Sequence, residues 1–257
     1  MPHDIIALPA FTDNYIWVII HRESKNAVII DPGDAEIAVN ALKKYDLKLS
    51  CILITHHHWD HTGGVAALKK HYKAPVYGPD NPGIPEIDHY LIDGTQLELP
   101  ALTLKLKIIA TPGHTNDHIS YYNNDMLFCG DTLFSAGCGR LFEGSATQLY
   151  QSLTNLTKLS PNIAVYCAHE YTVDNLKFSL AVEPENPDTK KYLEQMIKKR
   201  DNNIVTLPSS IAIEQKINPF LRCEQKTVHT AAEHYAKKKL HDAIEVFAVL
   251  RKWKDCF

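Results

Sequence analysis

The stretch Thr55-His56-His57-His58-Trp59-Asp60-His61 follows directly on the apolar run Cys51–Ile54, so a strand ends in a dense set of imidazole and carboxylate groups. His56 and His58 alternate along a short segment leaving that strand, which turns both rings to the same side. Asp60 and His61 follow at once and can turn toward a second point nearby. Imidazole with carboxylate, and no thiolate in the run, suits a catalytic zinc, iron or manganese ion better than a structural one. A solvated polar loop is the plain alternative. It is disfavoured because other strand candidates end in the same manner.

Those ends are His114 in Thr111-Pro112-Gly113-His114-Thr115, Asp131 in Phe128-Cys129-Gly130-Asp131-Thr132, and His169 in Cys167-Ala168-His169-Glu170. Groups at strand ends meet along one edge of the sheet in layered α/β architectures. The set is then His56, His58, His61, His114, His169, Asp60 and Asp131. One ion saturates at four to six donors, whereas two ions that share a carboxylate match this number. Cys129, two residues before Asp131, reads as a small buried apolar residue. His57 alternates with ligand positions and is expected to point away. His118 is expected to pack beside the site, and Lys237-Lys238-Lys239 to be a solvated helix face.

Around these residues the pattern changes once. Tyr15–Ile20 and Ala27–Ile30 read as strands joined by a polar turn, and Ala35 to Tyr45 as a helix after the stop Asp31-Pro32-Gly33-Asp34. Leu102, Leu104, Leu106 and Ile108 alternate as a half-buried strand does. Ile119–Tyr122, Met126–Cys129 and Val165–Ala168 are further strands. After His169 helices dominate: Asn175–Val182, Asp188–Asn203, Ser209–Gln215 and two segments between Thr230 and Lys254. An α+β layered domain, residues 1–169, followed by a helical domain, residues 170–257, is the simplest account.

The 257 residues, 45% hydrophobic and 22% charged, are ample for a packed core. The net charge of -3 argues against a protein built to hold nucleic acid. Residues 1–169 carry 12 Lys+Arg against 17 Asp+Glu and residues 170–257 carry 15 against 13, so the metal-rich part is acidic and the helical part basic. Six cysteines without a C-x-x-C pair do not read as a disulfide framework or thiolate site. The amino terminus lacks a signal-peptide pattern and no run is long enough to span a bilayer, so the expectation is a cytoplasmic protein with no membrane partner.

Thr-His-x-His-x-Asp-His followed by His, Asp and His resembles the metallo-β-lactamase superfamily. The likeness extends to its glyoxalase II (hydroxyacylglutathione hydrolase) branch through Pro9–Tyr15, Gly137–Gly144, His169-Glu170-Tyr171-Thr172, Asn218–Arg222 and the Arg251–Phe257 tail. The resemblance implies an αββα sandwich with a C-terminal helical domain. It implies two divalent ions, zinc first, with iron or manganese accepted by the same donors. His56, His58 and His114 would hold one, Asp60, His61 and His169 the other, and Asp131 would bridge. Asp60 and Asp131 would then be the carboxylates at the reacting water. The implied reaction is hydrolysis of the thioester S-D-lactoylglutathione, a step of methylglyoxal detoxification; a monomer is expected.

Glutathione carries two carboxylates, and the resemblance assigns Arg140, Tyr171, Arg251 and Lys254 to it. Arg251 and Lys254 lie three apart on a helix that Asp242 can cap, where basic residues also complement the helix dipole. Phe142 stands where some members have tyrosine, which removes a hydroxyl contact. A mononuclear iron persulfide dioxygenase of the same superfamily is the nearest alternative, and a non-enzymatic metal-binding protein the remaining one.

Overall fold

The computed structural model describes residues 2–84 and 86–257. The chain forms two compact units: one runs to Ala110 and takes in Asp117–Gly130, and the other comprises Thr111–Asn116 and Asp131–Phe257.

The first unit begins with strands β1 (His3–Ala10), β2 (Asn14–His21) and β3 (Asn26–Ile30), paired antiparallel. Helix α1 (Ala35–Lys44) leads to β4 (Lys48–Leu53), which pairs parallel with β3. The one-turn α2 (Trp59–Thr62), α3 (Val65–Tyr72), β5 (Val76–Pro79) and β6 (His89–Leu91) complete a six-stranded sheet in the order β1-β2-β3-β4-β5-β6. The strands β7 (Gln96–Leu99), β8 (Leu104–Ala110), β9 (Ile119–Tyr122) and β10 (Met126–Gly130) form an antiparallel set.

Alternation decides which face each residue serves. Ile16, Val18, Ile20, Ala27, Ile29, Ile52 and Ile54 pack with Ala38, Ala41, Leu42, Val65 and Leu68 of α1 and α3. Their neighbours Trp17, Ile19, Val28, Ile30 and Leu53 are buried on the other face, so β2–β4 read as continuous apolar runs. The expected alternation in β8 is present, with Leu104, Leu106 and Ile108 buried and Lys105 and Lys107 exposed. Tyr121 of β9, wholly buried, donates its hydroxyl to Ile54 O (2.6 Å), and Ile119 N donates to Thr55 O (2.9 Å). These bonds tie the antiparallel set to the end of β4, where the histidine run starts.

The second unit holds the short hairpin β11 (Leu133–Phe134) and β12 (Gly137–Cys138), then α4 (Ala146–Leu156) and β13 (Ala164–Cys167). It continues with α5 (Thr172–Val182), α6 (Pro187–Asp201), β14 (Ser209–Ser210), α7 (Ile211–Ile217), α8 (Lys226–Ala236) and α9 (Ala243–Asp255). Ser209 and Ser210, expected in a helix, instead pair with Val165 and Ala164, and the Ser210 side chain caps α7. Helix α4 was not expected. Its start is the reciprocal cap between Ser145 and Gln148, a spacing visible in the sequence. No helix among the described residues is long and apolar enough to cross a membrane. All six cysteines are free, and only Cys256 is exposed.

Candidate metal centre

Each unit carries part of the predicted ligand set. In the first, β4 runs into Thr55, whose amide donates to Asp31 Oδ1 (2.8 Å) and whose hydroxyl donates to Asp31 Oδ2 (2.7 Å). The same oxygen lies 3.0 Å from His61 Nδ1. Asp31 is itself buried and sits at φ +51, a conformation uncommon for a residue with a side chain. Gly33 follows because a Cβ there would lie 1.9 Å from Asp60 O.

These bonds settle the tautomers. Asp31 accepts only, so His61 carries its proton on Nδ1 and turns a lone pair outward at Nε2. The Thr55 hydroxyl spends its hydrogen on Asp31, so it accepts from His56 Nδ1 (3.0 Å) and leaves the His56 Nε2 lone pair facing His58 Nδ1 at 3.0 Å. His61 Nε2 faces Asp60 Oδ2 at 3.3 Å, and Asn14 Nδ2 donates to that same oxygen (2.8 Å). His118 stacks on His56, ring centres 4.8 Å apart, and His57 turns to Asp117 (3.0 Å).

The second unit repeats the logic. His114 Nδ1 donates to Arg140 O (2.9 Å), so Nε2 is the lone-pair end, and it lies 3.4 Å from Asp131 Oδ2. His169 Nε2 lies 3.3 Å from the same oxygen. A Cβ at Gly139 would meet Asp131 O at 2.0 Å and His114 Nδ1 at 3.1 Å, so only glycine lets that segment close over both residues. His114, Asp131 and His169 are buried. Held neutral, imidazoles whose Nε2 turns toward carboxylate oxygens set acceptors against acceptors. A cation is the group that such a donor set fits, with the second ring nitrogen held by an oxygen acceptor as in metal-ligating histidines. Cys138 and Cys167, pushed up to about 11 and about 12 by burial, stay thiols and do not compete.

Aromatic and cationic groups surround this half. The Tyr171 ring stacks on His169 (4.8 Å, 5°), Phe134 sets its edge against both, and Phe142 meets His114 edge-on (5.2 Å) while remaining exposed. Arg251 is 5% exposed: Nη1 donates to Cys138 O (2.8 Å), Nη2 to Asp255 Oδ1 (3.0 Å), and the guanidinium lies over Phe220. Arg140, largely exposed, approaches the same Asp255 oxygen at 3.8 Å. Lys254 lies over Phe178 and Phe257, and its pKa is lowered by burial first and then by Arg251 and Arg140.

A family profile described as the metallo-beta-lactamase superfamily matches residues 11–169, and one described as hydroxyacylglutathione hydrolase C-terminus matches residues 170–257. The hydroxyacylglutathione hydrolase of Nitrosomonas europaea is 46% identical over 254 residues, 99% of this chain and 96% of that one. That of Pseudomonas aeruginosa (strain LESB58) is 49% identical over 257 residues, 98% and 99% of the two chains. The chain belongs to the hydroxyacylglutathione hydrolase family. Among solved structures, ETHE1 from Myxococcus xanthus superposes with a TM-score of 0.66 at 26% identity, covering 100% of this chain and 99% of its own. The BLEG-1 B3 metallo-beta-lactamase gives 0.64 at 26%, covering 85% and 99%. The fold is therefore the α+β metallo-β-lactamase sandwich with a helical C-terminal part, and its family binds divalent metal.

For a member of the hydroxyacylglutathione hydrolase family, the sequence does not point to the groups that orient the candidate ligands. In the sequence Asp31 reads only as a strand stop, and Asn14 only as part of an amino-terminal motif. Asp31 does close an apolar run, like Asp131, and that was the available signal. Arg251 and Lys254 were expected as a matched pair, yet α9 buries the first among backbone carbonyls and leaves the second half-buried beside aromatic rings.

Proposed function

We propose that this member of the hydroxyacylglutathione hydrolase family hydrolyses S-D-lactoylglutathione to glutathione and D-lactate with two divalent ions, zinc before iron or manganese. His56, His58 and His114 would hold one ion, Asp60, His61 and His169 the other, and Asp131 both. The observation that carries the reading is the set of imidazoles whose Nδ1 is committed to an oxygen acceptor and whose Nε2 is turned toward a carboxylate or a second ring. Two ions held by these residues would lower the pKa of water toward ~7, supplying hydroxide near neutral pH, and would offer positive charge to a developing oxyanion.

This chain's residues do the rest. Asn14 holds Asp60 by one oxygen, while Asp31, Thr55 and the Arg140 carbonyl keep the imidazoles in one tautomer. Asp60 serves first as a ligand, and any handling of protons by it is secondary. Arg140, Arg251 and Lys254 form the positive region that draws the glutathione carboxylates, and Tyr171 and Phe142 offer ring surface beside His169 and His114. The leaving thiol, with a free pKa of ~8.5, departs as a thiolate without a strong general acid. Residues 1–169 are the catalytic part and 170–257 the substrate-binding part, in a cytoplasmic monomer that takes neither nucleic acid nor membrane as partner. The persulfide dioxygenase alternative needs one ion only, and the relatives at 46% and 49% identity bear the hydrolase name.

Metal analysis coupled to S-D-lactoylglutathione hydrolysis tests the proposal. Two ions per chain with turnover are expected, and Asp131→Ala should lose both. Two-ion protein that left the thioester untouched would overturn the substrate, and an Asp131→Ala variant with full metal and normal rate would overturn the two-ion site.

A further inference from the structure

Two residues beyond Asp131 the chain enters the hairpin β11–β12, and every residue from Leu133 to Cys138 is buried. Helix side chains hydrogen-bond to the polar backbone groups of its turn. Asn218 Nδ2 donates to Phe134 O (3.2 Å) and Gly137 O (2.9 Å). Asn175 Nδ2 donates to Ser135 O (3.1 Å), and Ser179 Oγ lies 3.4 Å from Ala136 O. Ala136 N donates to Glu214 Oε2 (2.7 Å). Glu214, wholly buried, also accepts from Asn218 Nδ2 (3.1 Å) and from the Ser209 hydroxyl. Ala136 is held at φ +57, a strained state for alanine that persists only where surroundings over-determine it.

The hairpin connects the centre's parts. Asp131 precedes it, the Arg140 carbonyl that orients His114 follows it, and its Phe134 ring lies against His169 and Tyr171. Gly139 N returns to Thr132 O (3.3 Å), closing the segment on itself. We propose that Glu214 and Asn218, four apart on and at the end of α7, are positioning residues for the metal centre: they clamp the 134–137 turn and thereby place the Asp131 carboxylate and the Arg140 carbonyl. The helical segment thus sets ligand geometry as well as offering substrate contacts. This inference rests on Asp131 as a metal ligand, as proposed above.

The test measures loss of metal to a chelator from the loaded protein, well below its melting temperature. Glu214→Ala and Asn218→Ala strip the turn of partners and should release an ion about 10-fold faster or more, the scale seen when groups behind metal ligands are removed. Glu214→Gln keeps an acceptor for Ala136 N and should retain metal as the parent does, since the clamp works by shape and not by charge. Met196→Ala removes side-chain packing from the apolar cluster formed by Ala136, Leu176, Met196 and Ile217 without touching the polar clamp. It should lower the melting temperature and leave metal release unchanged. If Glu214→Ala does not fold, Asn175→Ala, which strips one turn carbonyl, takes its place. Parent-like metal release in the stripped variants overturns the inference, as does release that merely follows melting temperature across all variants, Met196→Ala included. A parent protein that binds no metal would instead refute the two-ion reading itself.

Discussion

Asp31→Asn separates the orientation of the ligands from their presence. The substitution keeps size and leaves an oxygen for the Thr55 amide (2.8 Å in the parent), but places an NH2 where Oδ2 accepts from Thr55 Oγ1 (2.7 Å) and His61 Nδ1 (3.0 Å). His61 must then accept at Nδ1 and carry its proton on Nε2, the nitrogen needed for metal. The Thr55 hydroxyl, turned to accept from the amide, offers its hydrogen to His56 Nδ1 and reverses that ring as well. Asp31 is only 4% exposed, so water does not restore the lost bonds. A hydrogen bond to a buried charged group contributes about 1.5–3 kcal/mol, which corresponds to roughly 10- to 150-fold in metal affinity. Competition against a chromophoric chelator reads both dissociation constants, and urea unfolding of the metal-free protein provides the control. Weaker binding of both ions, the His61-held and the His56-held, with little change in metal-free stability is expected. Dissociation constants within about threefold of the parent's, far inside the usual effect of such partners, would refute the tautomer argument.

Phe142→Tyr should lower KM for the glutathione thioester with little change in kcat, because it adds a hydroxyl to an exposed ring beside His114. Steady-state kinetics at saturating metal check this. Burial, then Arg251 and Arg140, lower the Lys254 pKa, so its charge is lost below the ordinary lysine range as pH rises. KM for the anionic substrate should therefore climb at a more acidic pH than for an unperturbed lysine, and Lys254→Arg should abolish that rise in pH profiles of KM. Burial acts to raise the Glu183 pKa, but hydrogen bonds from Arg222 (2.7 and 3.0 Å) and Thr227 outweigh it, and the net shift is downward. The stability it contributes is present above the unfolded carboxylate value and lost as pH falls through the lowered folded one. Glu183→Gln should cost about 2 kcal/mol at pH 7, a difference that vanishes in strong acid when followed by urea unfolding.

Much of the fold was legible because strands and helices follow local periodicity. The alternation at Leu104, Leu106 and Ile108 names β8 and its buried face, and Asp34 with Ala38, Ala41 and Leu42 names α1. What was misread depends on partners distant in the chain. Ser209 and Ser210 look like a helix start, and become a strand only through Ala164 and Val165. β1 was missed although its alternate residues His3, Ile5, Ala7 and Pro9 lie opposite β2 in perfect register, because its own polarity pattern is weak.

The sequence alone determined which chemistry this protein carries: imidazoles and carboxylates at the ends of apolar runs, spaced so that backbone geometry turns them outward. Tertiary structure decided which nitrogen of His56, His61 and His114 is available. The atoms that settle it, Asp31 Oδ2 for His61 and Arg140 O for His114, lie 30 and 26 residues away from the rings they hold. A hydrogen bond acts through space between folded segments, so ligand identity is written locally and ligand orientation is not.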